Sequence, residues 1–170
     1  MKALFIGRFQ PFHLGHLHIV KQIIKEQGSI VIAIGSSQES DTLENPFTAE
    51  ERKEMIEHVL DAESIDNKDY IICLVPDLGK HDKWVEHVIS ITGNISVIYT
   101  GSILTKRLFR EKGFKIINLN RIKDISATMI RERLVKNQMI DKFIHPKIAD
   151  FLKRINAGER LKDITRKETQ

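Results

Sequence analysis

Near the start of the chain, Gly7-Arg8-Phe9-Gln10-Pro11-Phe12-His13-Leu14-Gly15-His16 brings together residue types that can hold phosphate. His13 and His16 stand one helical turn apart at a predicted helix start, where unpaired N–H groups and the helix dipole already favour anions. Two imidazoles there can donate hydrogen bonds to phosphate oxygens. Gly7 permits a tight strand-to-loop turn and close backbone approach. Gly15 removes a side chain from between the histidines, as a ligand pressing against the turn would require. A metal site on His13 and His16 lacks an obvious third ligand nearby. Each histidine alone would ordinarily be structural, but the pair together with Gly7, Arg8 and Gly15 after a strand is far more specific.

A second segment, Ile125-Ser126-Ala127-Thr128-Met129-Ile130-Arg131, precedes and opens another helix. Hydroxyls at Ser126 and Thr128 can cap that helix, which alone would explain them. With Arg131 one turn in, the same residues also make an anion site of N–H groups, hydroxyls and a guanidinium. The segment gains weight from accompanying the first.

The elements that must position these segments alternate from end to end. Strands are predicted at Lys2–Ile6, Ser29–Gly35, Tyr70–Val75, Ile95–Tyr99 and Lys115–Asn118. The second is apolar enough to be covered on both faces. Helices are predicted at Leu14–Gln27, after the capping box Thr48-Ala49-Glu50-Glu51, and at Asp82–Ile91, Leu104–Glu111, Thr128–Lys136 and Pro146–Asn156. The stretch 158–170 is polar and is expected to fray. Strand–helix alternation at this spacing implies βαβ crossovers and an α/β doubly wound parallel sheet of about five strands, in one domain over residues 1–170. Ligands of such sheets bind beyond the carboxyl ends of the strands, near the point where strand order reverses.

Two phosphate loops are missing from the sequence. No G-x-G-x-x-G follows the first strand and no G-x-x-x-x-G-K-[ST] occurs, which disfavours a nicotinamide-cofactor dehydrogenase or a P-loop NTPase. The net charge of +4 favours anionic partners without choosing among them. Basic residues alternate with acidic ones in the last third, as on a solvated helix surface, so nucleic acid is not the expected partner. No apolar run is long enough for a membrane span, and no export signal is apparent, so a cytoplasmic location is expected. A single cysteine, Cys73, excludes an internal disulfide; inside a predicted strand it reads as a small buried hydrophobe. Arg52 reads as a structural ion-pair partner.

The pattern G-R-F-Q-P-x-H-x-G-H with I-S-x-T-x-I-R resembles the nucleotidyltransferase superfamily with an HxGH motif. Gly35-Ser36-Ser37-Gln38, Asn45-Pro46-Phe47-Thr48-Ala49-Glu50-Glu51-Arg52, Trp84-Val85 and Tyr99-Thr100-Gly101-Ser102 fall in order where archaeal-type nicotinamide-nucleotide adenylyltransferases carry similar segments. Phosphopantetheine adenylyltransferases share both phosphate motifs but usually begin with a T-F-D-P loop. The resemblance implies a Rossmann-like sheet and a reaction in which ATP and nicotinamide mononucleotide give NAD and pyrophosphate, with Mg²⁺ on the ATP phosphates and no metal ligand from the protein. It implies catalytic roles for His13, His16 and Arg131, and ATP binding by Gly7, Arg8, Phe9, Gly15, Gly101, Ser126 and Thr128. The nicotinamide nucleotide would meet Gly35, Ser36, Ser37, Phe47, Asp77 and Trp84. Trp84, the sole tryptophan, reads equally well as a helix anchor packed into the core. Asp77 is open to three readings: a ligand contact, a contact to Mg²⁺, or a helix cap. A homo-oligomer, often a hexamer, is a further implication.

The sequence departs from the family pattern at His81, where Asn is frequent, at Ala127 and Ser102, and at Glu44, where some members place Arg. Another acceptor in the same superfamily, phosphopantetheine or a flavin nucleotide, is the alternative; a non-catalytic nucleotide sensor is the alternative from a different class.

Overall fold

A computed structural model describes residues 2–79, 83–119, 122 and 124–169. Five apolar runs form strands: β1 (Lys2–Gly7), β2 (Ile30–Gly35), β3 (Tyr70–Val75), β4 (Ile95–Thr100) and β5 (Lys115–Ile117). The helices are α1 (Leu14–Gln27), α2 (Ala49–Ala62), α3 (Trp84–Thr92), α4 (Ile103–Glu111), α5 (Ala127–Val135), α6 (Pro146–Arg154) and α7 (Ala157–Glu168). The chain separates into two compact units. The first holds Met1–Arg8, Ile19–Gln38 and Asp66–Asn120; the second holds Phe9–His18, Glu39–Ile65 and Arg121–Gln170.

In the first unit all five strands pair in parallel, in the order β3-β2-β1-β4-β5. Succession runs outward from β1 through β2 to β3, then resumes at β4 on the other side of β1. The switch in strand order therefore falls between β1 and β4, and Gly7 and Gly101 lie at their carboxyl ends. Every residue of the β2 run is buried, as its unbroken apolar sequence requires of a strand covered on both faces. Leu4, Ile6, Val31, Ala33, Val75 and Ile98 form one apolar cluster with Trp84, Val85 and Val88 of α3 and Leu108 and Phe109 of α4. On the opposite face Tyr99 reaches α1, where its hydroxyl donates to Glu26 Oε2 at 3.2 Å.

In the second unit, α2 starts on its capping box. The Thr48 hydroxyl accepts from the Glu51 N–H at 3.2 Å, and the Glu51 carboxylate accepts from the Thr48 N–H at 2.9 Å. Such a cap is worth about 1 kcal/mol. Met55, Ile56, Val59 and Leu60 are fully buried along one stripe of α2, each contributing about 1.5–3 kcal/mol. Arg52 is 0% exposed. Its Nε donates to the Thr48 carbonyl at 3.1 Å and its Nη2 to the Glu39 carbonyl at 3.5 Å, so it stitches backbone around the cap.

The expected frayed stretch is instead helical: α7 occupies Ala157–Glu168. Ala157, Leu161 and Ile164 recur at helical spacing and are buried. Three small or branched residues among many charged ones leave the mean polarity high while still making a stripe. Arg160 of α7 pairs bidentately with Glu51 at 2.7 and 2.8 Å. Other boundaries differ by a residue or two. β2 begins at Ile30, β5 ends at Ile117 and α6 ends at Arg154. The expected start of α3 at Asp82 lies outside the described residues.

Candidate active site

Beyond β1 the chain turns through Phe9, whose φ of 53° is left-handed. That conformation is costly for a bulky side chain and persists only where packing holds it. Phe9 is buried, with its ring edge-on to His16 at a centroid distance of 4.9 Å and tilted against Phe12 at 5.9 Å. His13 and His16 stack at 3.6 Å with 19° between their planes. Each ring also accepts the other residue's backbone N–H at Nδ1, at 3.3 Å in both directions. Two accepting Nδ1 atoms leave the ring proton of each neutral imidazole on Nε2. The stack therefore presents two Nε2–H donors, which suit phosphate oxygens.

Gly15 has a packing reason beside the one expected. A Cβ there would come within 3.0 Å of His13 Cε1 and 3.1 Å of its Nδ1. The absent side chain makes room for the His13 ring itself.

The second segment is tied to the first within the same unit. Ser126 caps α5, its hydroxyl oxygen accepting from the Met129 N–H at 3.1 Å. Thr128 does not cap; its Oγ1 accepts from Arg131 Nη2 at 3.4 Å. A hydroxyl that accepts in this way keeps its own O–H as a donor. Arg131 Nη1 donates to the Gln10 carbonyl at 2.8 Å, across 121 residues of sequence. Gln10 is 2% exposed. Its side-chain amide donates to the Phe47 carbonyl at 2.9 Å and accepts from the Phe47 N–H at 3.0 Å. The sequence reading passed over Gln10. Its signal was a polar residue set among Phe9, Pro11 and Phe12, an amide that burial would oblige to find partners on both ends.

The remaining expected site residues lie as follows. Phe47 is in the second unit, fully buried before the α2 cap. Gly7 and Arg8 end the β1 segment of the first unit, with Arg8 exposed, and Gly101 follows β4 beside Ser102, the N-cap of α4. Gly35 closes β2; a Cβ there would stand 3.7 Å from the Gly7 carbonyl, an ordinary contact. Ser36 is left-handed at φ 47°, and Ser37 N–H donates to the Val75 carbonyl at 3.2 Å. Asp77 lies past the end of β3 and exposed, its N–H donating to Gln38 Oε1 at 2.9 Å. It does not cap α3, whose N-cap is Lys83. Trp84 is 9% exposed and edge-on to Phe109 at 5.9 Å. Its indole Nε1 has no hydrogen-bond partner among the described residues. His81 lies outside the described residues.

Among the described residues no group of three or more His, Cys, Asp or Glu side chains is placed to hold a metal ion. Among the same residues no helix is long and apolar enough to cross a membrane. Cys73 is half-buried, and that burial pushes its thiol above the usual range.

Comparison with known proteins agrees with these motifs. The cytidylyltransferase-like family model matches residues 4–133. A nicotinamide-nucleotide adenylyltransferase of Archaeoglobus fulgidus is 40% identical, the match covering 97% of this chain and 98% of that protein. One of Picrophilus torridus is 38% identical, covering 97% and 98%. Among solved structures, a bifunctional NMN adenylyltransferase/ADP ribose pyrophosphatase of Francisella tularensis, complexed with AMP and a manganese ion, superposes with a TM-score of 0.80 at 28% identity. That match covers 98% of this chain and 52% of the solved one, so this chain spans about half its length. The chain belongs to the cytidylyltransferase-like family and, within it, to the nicotinamide-nucleotide adenylyltransferases.

Proposed function

We propose that this chain transfers the adenylyl group of ATP to nicotinamide mononucleotide, giving NAD and pyrophosphate. The observation that carries the reading is the His13–His16 stack, in which each Nδ1 accepts the other residue's backbone N–H. A phosphate oxygen of the mononucleotide attacks the α-phosphorus in line. The new P–O bond forms as the α–β bridging P–O bond breaks, and pyrophosphate leaves with the electron pair. The nucleophile is already anionic, so no general base is required, and positioning with charge stabilisation supplies the rate.

His13 and His16 donate to oxygens of the α-phosphoryl group, where negative charge gathers in the transition state. Arg131, Ser126 and Thr128 hold the β- and γ-phosphates, with the N-terminus of α5 adding its dipole. Gly7, Arg8, Phe9, Gly15 and Gly101 shape the ATP side, Phe9 and Gly15 by fixing the two rings. Gly35, Ser36, Ser37, Phe47, Asp77 and Trp84 take the nicotinamide nucleotide. The unpartnered indole Nε1 of Trp84 supports a ligand contact there, and its burial beside Phe109 supports an anchor; one side chain can do both.

Nε2–H, guanidinium and hydroxyl groups suit phosphate oxygens and not a cation, so Mg²⁺ would be carried by the ATP phosphates. When bound, the ion would spread the charge of the triphosphate. The interleaving of both units along the chain supports one nucleotidyltransferase domain over residues 1–170. Family membership supports a cytoplasmic homo-oligomer.

Pyrophosphate release is the test. ATP and Mg²⁺ are offered with nicotinamide mononucleotide, phosphopantetheine or flavin mononucleotide in turn. Release with the nicotinamide nucleotide alone supports the reading; release with another acceptor alone overturns the acceptor and keeps the phosphate site.

A further inference from the structure

Gln10 sits where three backbone segments of the second unit are held together. Its side-chain amide pairs with both the N–H and the C=O of Phe47, the pattern one strand residue makes with another. That pair of hydrogen bonds fastens the loop before His13 to the residue before the α2 cap. Its own carbonyl receives the guanidinium of Arg131 at 2.8 Å. The same guanidinium reaches Thr128 Oγ1 from its other nitrogen. A carbonyl can orient a guanidinium only if the carbonyl itself is fixed. The Gln10 side chain does the fixing, and burial excludes the water that would otherwise compete for the amide. Thr48, next after Phe47, is in turn locked by Glu51, which Arg160 grips from α7. The clamp is anchored at its far end.

We infer that Gln10 is a positioning residue for the phosphate site: its side-chain clamp on Phe47 holds its carbonyl where Arg131 is aimed at the ATP phosphates. The inference rests on the adenylyl-transfer reading for the identity of the anion. Removing the clamp lets the carbonyl drift and frees Arg131 to sample orientations that do not meet phosphate. Gln10→Ala leaves the Phe47 N–H and C=O without their partner. Gln10→Glu keeps the volume and the acceptor but turns an oxygen toward the Phe47 carbonyl, so the clamp opens without a cavity.

The test is a double-mutant cycle on ATP affinity, measured by calorimetry without acceptor so that turnover plays no part. Wild type, Gln10→Glu, Arg131→Ala and the double variant are compared, with near-ultraviolet circular dichroism confirming that each is folded. Gln10→Glu is expected to weaken ATP binding about ten-fold when Arg131 is present and less than about two-fold when residue 131 is Ala, as for residues that act as a unit. Equal weakening in both backgrounds would mark general structural damage and overturn the inference; no weakening in either would overturn it as well. Should Gln10→Glu not fold, Gln10→Ala carries the same cycle. Failure of the wild type to turn over nicotinamide mononucleotide while still binding ATP would overturn the proposed reaction and leave this cycle readable.

Discussion

His13 and His16 lock each other: their rings stack at 3.6 Å and each Nδ1 accepts the other's backbone N–H. Neither ring can rotate to offer Nδ1 to a ligand without giving up a bond at the start of α1. The tautomer is therefore set by the backbone before any nucleotide arrives, and the two Nε2–H donors need no reorganisation when charge develops.

The first expected outcome concerns that preorganisation. His16→Ala should lower kcat by about 10²–10³, as for loss of one donor to a transition-state oxyanion, with a much smaller change in ATP affinity. Steady-state pyrophosphate release and an ATP titration separate the two. Near-normal turnover would remove His16 from the reacting phosphoryl group.

Gly15→Ala probes the same pair from the side. The added Cβ meets the His13 ring at 3.0 Å, so the ring must shift from its place in the stack by a few tenths of an ångström. Alanine is otherwise the better helix residue by about 0.5–1 kcal/mol, so the fold should survive. The expected result is a kcat reduced about ten-fold or more, the scale on which a misplaced catalytic group is felt, with a nearly unchanged melting temperature. Retained activity would mean that the stack tolerates displacement.

Arg160→Ala breaks the bidentate pair with Glu51. Both side chains are mostly covered, at 28% and 18% exposure, and their hydrogen bonds hold Arg160 charged above its usual range. Loss of about 1–2 kcal/mol in urea unfolding is expected, more than an exposed ion pair would give. A change within experimental error would mean that α7 is held by its apolar stripe alone.

Cys73 should react slowly. Burial raises its thiol pKa, so the folded chain keeps the proton and carries less thiolate at neutral pH than an exposed cysteine. Alkylation at neutral pH is expected to quicken about ten-fold or more when urea unfolds the chain. By the same sign, the contribution of the buried thiol to stability is complete below the unfolded thiol pKa and is lost as pH rises through the folded value. Equal rates with and without urea would contradict the burial.

Much of the scaffold was legible because its signals are local. The run Ile30–Ile34 could only be a strand covered on both faces, and Thr48 with Glu51 announced the start of α2 before any coordinate. The juxtaposition of His13 and His16 was legible through residue type and spacing. Three things were not. α7 escaped notice because Leu161 and Ile164 lie among charges whose average polarity hides a period of three to four. The packing reason for Gly15 escaped notice because the side chain that needs its space, His13, lies just before α1 and spacing alone does not show which way its ring turns. Gln10 was missed because its partners, Phe47 and Arg131, are distant in sequence, and a hydrogen bond over 37 or 121 residues leaves no mark on local spacing.

The central claim is adenylyl transfer to nicotinamide mononucleotide, and the most direct test follows the atoms. ATP labelled at its α-phosphorus is incubated with the protein, Mg²⁺ and nicotinamide mononucleotide, and the products are separated. Transfer of the label into NAD, with unlabelled pyrophosphate released in equal amount, is the expected result. Label remaining in ATP, or passing to AMP without NAD, would contradict it.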